Sequence, residues 1–212
     1  MKTLIATMLL AASAMASADV LVVNIWNPLP GKAPTTFQYG QEARAIHEKL
    51  GANVTVGADQ MGRMHYAMAF DNWAAWAEFG KKLDASADWA AFIQRINADP
   101  SATREDVYML NQPVSGGVGQ VYQVNIWTSN PGRNADTMAR AMEARALHEK
   151  AGVKVAINVD QLGRLHYVAS FESWADWAKF QDTPNPDFEA MMTRFSKDPS
   201  ATLTKVYTAQ RL

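Results

Sequence analysis

Apolar positions along the chain recur first in steps of two, then in steps of three and four, and this succession of periods occurs twice. Residues 20–26 form a β-rich run. In its later counterpart, residues 121–127, Val124 and Ile126 fall on one face and Gln123, Asn125 and Trp127 on the other. Pro30-Gly31 and Pro131-Gly132 supply turn chemistry after each run. A helix follows, with Thr35 or Asp136 as N-cap candidates and Gly51 or Gly152 just past its end. In the first copy Tyr39, Ala43, Ile46 and Leu50 make its core-facing stripe. Two strands come next, near residues 53–58 and 63–70, joined by a tight hairpin at Asp59-Gln60-Met61-Gly62. On the second of them, alternation sends Met64, Tyr66, Met68 and Phe70 to one side and Arg63 and His65 to the other. Two short helices carry Trp73, Trp76, Phe79 and then Trp89, Phe92, Ile93, Ile96, and a strand near residues 105–110 closes the unit.

The second unit matches the first closely enough to be a duplication. Asp59-Gln60-Met61-Gly62-Arg63-Met64-His65-Tyr66 returns as Asp160-Gln161-Leu162-Gly163-Arg164-Leu165-His166-Tyr167, and the same 101-residue offset holds without a gap from Val20/Val121 to Phe79/Phe180. Between its last two helices the second copy is two residues shorter, so Asp99-Pro100-Ser101-Ala102-Thr103 matches Asp198-Pro199-Ser200-Ala201-Thr202 at an offset of 99. Each copy reads strand, helix, strand, strand, helix pair, strand, the split βαβ or ferredoxin-like order. The fold class is therefore α+β, with two tandem ferredoxin-like βαββαβ repeats at 19–112 and 121–212 and a linker at 113–120 containing Ser115-Gly116-Gly117. Helices cover one face of such a sheet, and pairing the two open faces would bury the other and enclose a lumen.

Composition narrows the function classes. Residues 1–18 combine a basic start, a mostly apolar stretch and Ala16-Ser17-Ala18, which reads as a secretory signal peptide and predicts a periplasmic or secreted protein beginning at Asp19. The apolar stretch falls short of the roughly 20 residues of a membrane span, and no later segment supplies one. The chain has no cysteine, so stability rests on its cores and not on disulfides. Its formal net charge of −1, without long blocks of either sign, gives no basis for binding nucleic acid. No metal site is indicated, because no His-x-x-x-His or Glu-x-x-His spacing gathers ligands.

The succession of strand, Pro-Gly-(Lys/Arg), Ala/Glu-rich helix, Gly-x-x-Val, Gly-Arg-x-His-Tyr strand and (Asp/Glu)-x-Trp-Ala resembles the dimeric α/β-barrel superfamily. Within it the chain is most similar to NIPSNAP-like domains, and more distantly to antibiotic-biosynthesis-monooxygenase-like domains. The resemblance implies that one polypeptide makes the barrel that most relatives build from two, a pseudo-dimeric α/β barrel packed sheet to sheet, and leaves room for a homo-oligomer. The superfamily includes oxygenases, isomerases and haem proteins, so fold alone does not choose an activity. One haem-degrading branch uses an Asn, a Trp and a His. Asn24, Trp26 and His65 are superficially similar, but here Asn and Trp lie two apart on one strand and His on another, so no haem chemistry is carried over and no cofactor is expected.

If Val23 and Ile25 share the helix-covered face with Tyr66 and Phe70, the lumen collects Asn24, Trp26, Arg63 and His65, with Asn125, Trp127, Arg164 and His166 from the second half. Arg forks suit a carboxylate, His moves protons near neutrality, Asn orients and Trp provides an aromatic wall. The expected site is thus a lumen between the halves, with His65 and His166 as catalytic candidates and the other six as ligand-binding residues. The competing structural reading pairs Arg63 with Asp59 across the hairpin and leaves His65 hydrogen-bonded inside a packed interface. His47 and His148 read as partly buried histidines beside the helix stripe. The preferred function is an exported small-molecule-binding protein. The alternatives are a cofactor-independent monooxygenase or isomerase using a lumen His, and a structural or assembly domain.

Overall fold

The computed structural model describes residues 19–212 apart from residue 118, so residues 1–18, which read as a signal peptide, lie outside the described residues. The first repeat contains β1 (Val20–Pro28), α1 (Ala33–Lys49), β2 (Asn53–Asp59), β3 (Met64–Phe70), α2 (Trp73–Asp84), α3 (Ala87–Ala98) and β4 (Ala102–Val114). The second contains β5 (Val121–Ser129), α4 (Asn134–Lys150), β6 (Lys154–Asp160), β7 (Leu165–Phe171), α5 (Trp174–Asp182), α6 (Pro186–Lys197) and β8 (Ala201–Arg211).

Local chemistry sets these boundaries. Gly62 and Gly163 both take φ of 77°, the left-handed conformation the β2–β3 and β6–β7 turns require. Asn72, Ser86, Ser173 and Asn185 cap the later helices by accepting a hydrogen bond from the backbone N–H three residues on. The first helix of each repeat starts earlier than the Thr35 and Asp136 caps predicted, at Ala33 and Asn134. Thr36 and Thr137 are instead buried, tying the helix to Ser101 and Ser200 before the last strand.

All strands join one closed barrel in the order β1-β3-β2-β8-β5-β7-β6-β4, with β4 returning to β1. Each repeat supplies four neighbouring antiparallel strands. Their open faces meet as expected, and the sheets also fuse at their edges through β2·β8 and β4·β6. The stretch read as a linker from residue 113 begins inside β4, where Val114 pairs with Ile157. Two cores lie between the sheet and its helices, one per repeat. A third fills the barrel interior with Ile25, Tyr108, Leu110, Val124 and Ile126, joined by Leu21, Val23, Tyr122, Val168 and Tyr207. No helix among the described residues is long and apolar enough to cross a membrane.

Candidate functional site

Register decides which side chains face the barrel interior. In β1·β3, Asn24 is opposite Tyr66, Trp26 opposite Met64 and Ile25 opposite His65. Directly opposed residues of an antiparallel pair project from the same face. Asn24 and Trp26 therefore stand with Tyr66 under the helices, and Asn125 and Trp127 stand with Tyr167 and Leu165 in the second repeat. This corrects the expected lumen: its four Asn and Trp residues lie outside the barrel, and Val23 and Ile25 lie inside. The strand pattern fixed that Asn24 and Trp26 share a face, but not which face, because Trp26 and Ile25 are both apolar enough for a core.

Arg63, His65, Arg164 and His166 belong to compact hydrogen-bonded groups at the hairpins. Asp59 Oδ2 accepts from Arg63 Nε at 2.7 Å and from His65 Nε2 at 3.0 Å, while Arg63 Nη1 donates to Glu105 at 2.6 Å. Asp160 accepts equivalently from Arg164 at 2.7 Å and His166 at 3.1 Å. Burial works against ionisation of Asp59, but the donors from His65 and Arg63 prevail and hold its carboxyl well below the usual range. Asp160 is lowered in the same way, and burial lowers His166. The two histidine rings pack against Tyr207 and Tyr108 inside the barrel, at centroid distances of 4.7 and 4.8 Å. The Asp–Arg–His groups thus satisfy one another within an interior occupied by side chains.

The large cavity lies elsewhere, between the outer face of β5 and β7 and the helices α4 and α6. It has a volume of about 570 Å³, and neither His65 nor His166 touches it. Its floor includes Asn125, Trp127, Leu165 and Tyr167, and its walls include Ala144, His148, Phe180, Phe188, Met191, Met192 and Phe195. Two of the sequence candidates, Asn125 and Trp127, therefore line a cavity, although not the one between the halves. The structure adds His148 and Tyr167.

His148 is held on three sides. Its Nδ1 hydrogen-bonds the Tyr167 hydroxyl at 2.7 Å, its ring stacks on Phe188 at 4.7 Å and meets Phe180 edge-on at 5.2 Å. Burial lowers its pKa to about 4, so the imidazole is neutral at physiological pH. Its Nε2 has no hydrogen-bond partner among the described residues, nor has the Trp127 indole N–H. Among the described residues the Asn125 amide is engaged only through its oxygen, which accepts from Gln123 at 3.4 Å. Arg140, also in the lining, is committed to Asp198 through its Oδ2 and main-chain oxygen and lies over the Phe195 ring.

The first repeat keeps the same frame but fills the space. His47 Nδ1 meets the Tyr66 hydroxyl at 2.7 Å, and burial lowers its pKa to about 4 as well. Around it Trp89 stacks on Phe92 at 5.3 Å, Tyr39 packs edge-on to Phe92 at 6.1 Å, and Leu83 closes on the core. The corresponding second-repeat residues are Phe188 for Trp89, Met191 for Phe92 and Arg140 for Tyr39, and α5 has 9 residues where α2 has 12. Smaller or diverted side chains and a shorter helix open the cavity. In the sequence the cavity is marked by the differences between the copies, whereas their identities mark the hairpins.

No family model matches the chain, and no curated protein matches it. Solved structures match it across almost its whole length. A Lactobacillus acidophilus NCFM protein assigned as a monooxygenase superposes with a TM-score of 0.63 at 13% identity, covering 91% of this chain and 93% of that one. An anthrone oxidase-like protein gives 0.63 at 10%, covering 92% of each chain. A heme-binding protein from Thermus thermophilus gives 0.53 at 10%, covering 91% and 90%. At these identities the likeness is one of fold: the chain is a dimeric α/β barrel with both halves supplied by one polypeptide.

Proposed function

We propose that this protein binds a small, planar, largely apolar organic molecule in the second-repeat cavity, and that the first repeat serves as its closed structural counterpart. The observation carrying this reading is the coincidence of unpaired polar groups on His148 and Trp127 with an aromatic-walled space of about 570 Å³. That size suits a molecule of two or three rings, with a few polar atoms fixing its orientation. The Tyr167 hydroxyl can give its proton to His148 Nδ1 or accept one from it. His148 Nε2 can accordingly offer either a donor to a ligand carbonyl or a lone pair to a ligand hydroxyl. A hydroxylated polycyclic aromatic meets these requirements, and the anthrone oxidase-like protein shares the fold.

A second reading makes the same imidazole a general base in a cofactor-independent oxygenation. His148 is neutral and has a free nitrogen in the cavity, but a pKa of about 4 gives it little driving force to take a proton near neutrality. Binding without turnover is therefore preferred. Haem, which one fold relative binds, fits the lining poorly: Arg140 is already paired with Asp198, and Glu189 would repel a propionate. Export, read from residues 1–18, belongs to the proposal, and N-terminal sequencing of the protein recovered from its native compartment would show a start at Asp19.

The test is a titration with hydroxylated two- and three-ring aromatics, read by quenching of tryptophan fluorescence, alongside mass spectrometry of material co-purifying from the native compartment. Saturable one-site binding lost in Ala144→Phe supports the cavity, and binding undisturbed by that change removes it. Turnover of the bound compound that vanishes in His148→Asn would favour the enzymatic reading.

A further inference from the structure

The barrel repeats after four strands, so a pseudo-twofold axis relates β4 to β8 and β2 to β6. Two dyad-related pairs of side chains break the symmetry. The first is Asp106 on β4 and Lys205 on β8, equivalent positions in the two repeats. These strands are not neighbours in the barrel, yet the Lys205 ammonium and Asp106 carboxylate form an ion pair from one to the other, with Glu105 at 3.7 Å from Lys205. A barrel made from two first repeats would set Asp106 against Asp106, and one made from two second repeats would set Lys205 against Lys205.

The second pair is steric. Gly57 on β2 accommodates Tyr122 from β5, and a Cβ added there would lie 2.8 Å from the Tyr122 hydroxyl oxygen and 2.7 Å from the Gln210 carbonyl oxygen. The dyad-related residues are Asn158 and Leu21. Two first repeats would oppose Gly57 with Leu21 and leave space, while two second repeats would bring Asn158 onto Tyr122.

We propose that these differences key the repeats to each other, so that a first repeat closes a barrel only with a second repeat, within one chain or reciprocally between two copies. Charge opposes both like pairings at the axis; at the β2·β8 and β4·β6 edges side-chain size opposes the pairing of two second repeats, while two first repeats lose packing there. The duplication has thus turned a self-complementary interface into a heterologous one.

Variants of the full chain can reproduce each like pairing at the axis. D106K gives the arrangement of two second repeats and K205D that of two first repeats. D106N and K205Q remove the attraction without creating repulsion. The exchange E105T/D106K/T204E/K205D transplants each dipeptide onto the dyad-related strand, so that the surrounding charges are exchanged too. In urea denaturation at low salt, keying requires D106K and K205D to lose at least about tenfold more of the folded-to-unfolded ratio than the neutral variants. Added salt should recover part of that difference, because screening acts on repulsion between partly exposed charges. The exchange should return to within about threefold of the parent. If D106K does not fold while the exchange does, the proposal is likewise supported. Like-charge variants no worse than neutral ones, or an exchange as damaged as D106K or unable to fold, would overturn it. G57N provides the steric arm: it should destabilise the chain, and Y122L should recover part of that loss in the G57N background, the contact with the Gln210 carbonyl accounting for the remainder, whereas a loss that Y122L leaves unchanged or deepens would contradict the steric key.

Discussion

The Tyr167 hydroxyl lies 2.7 Å from His148 Nδ1, and the same 2.7 Å separates Tyr66 from His47 in the other repeat, yet only the second pair borders a large cavity. One repeat therefore controls for the other. Replacing either histidine with Ala leaves a buried tyrosine hydroxyl unpaired and should cost about 1–3 kcal/mol of stability. Only His148→Ala should also weaken ligand binding, by about tenfold, as measured by calorimetry beside chemical denaturation of both variants.

Both histidines should make the fold acid-sensitive. Each has a folded pKa of about 4 against 6.5 in the unfolded chain, so between those values the unfolded state binds more protons. Stability should rise with pH through that window and fall as pH drops from 7 towards 4, by on the order of 3 kcal/mol per histidine at most. Asp59 and Asp160, lowered by their Arg and His donors, extend the loss to lower pH. Urea midpoints between pH 4 and 8 check the slope, and His47→Gln should flatten it.

Matched small-to-large changes should separate the filled and open repeats. Ala43→Phe enters a packed core and should cost about 1–3 kcal/mol by overpacking. Ala144→Phe enters the cavity, so it should cost less than that and abolish binding. Thermal unfolding and ligand titration of the two variants give the comparison.

His65→Ala and His166→Ala each remove one donor from a buried carboxylate that keeps its arginine. Each should lower stability by about 1–3 kcal/mol while leaving ligand affinity within twofold of the parent. A loss of affinity without loss of stability would return the site to the barrel interior.

Haemin titration should give no saturable Soret shift in the native protein, since the cationic group in the cavity lining is already paired.

The architecture was largely legible because the repeated Asp-Gln-x-Gly-Arg-x-His-Tyr string carries its own punctuation: Gly62 and Gly163 mark turns, and strict alternation follows them. Placement of Tyr66, Phe70, Arg63 and His65 followed from that alternation. Placement of Asn24 and Trp26 did not, because a strand's two faces are equivalent until its register is known, and Asn24 is opposed to Tyr66. His148 and Tyr167 were visible as a buried histidine candidate and a core tyrosine, but their separation of 19 residues hides the contact. The cavity depends on what is missing relative to the first repeat, a property of packing that no single residue announces.

The barrel's hydrogen-bond ladders are unequal. Within each repeat they run for six to nine residue pairs, whereas β2·β8 and β4·β6 each hold three. Local opening should concentrate at these short ladders, where amide hydrogens should exchange ahead of those in the long ones. At high protein concentration, chains parted there would be free to reclose around each other's halves, and size-exclusion chromatography after prolonged concentration would read such an exchange as a slowly formed dimer.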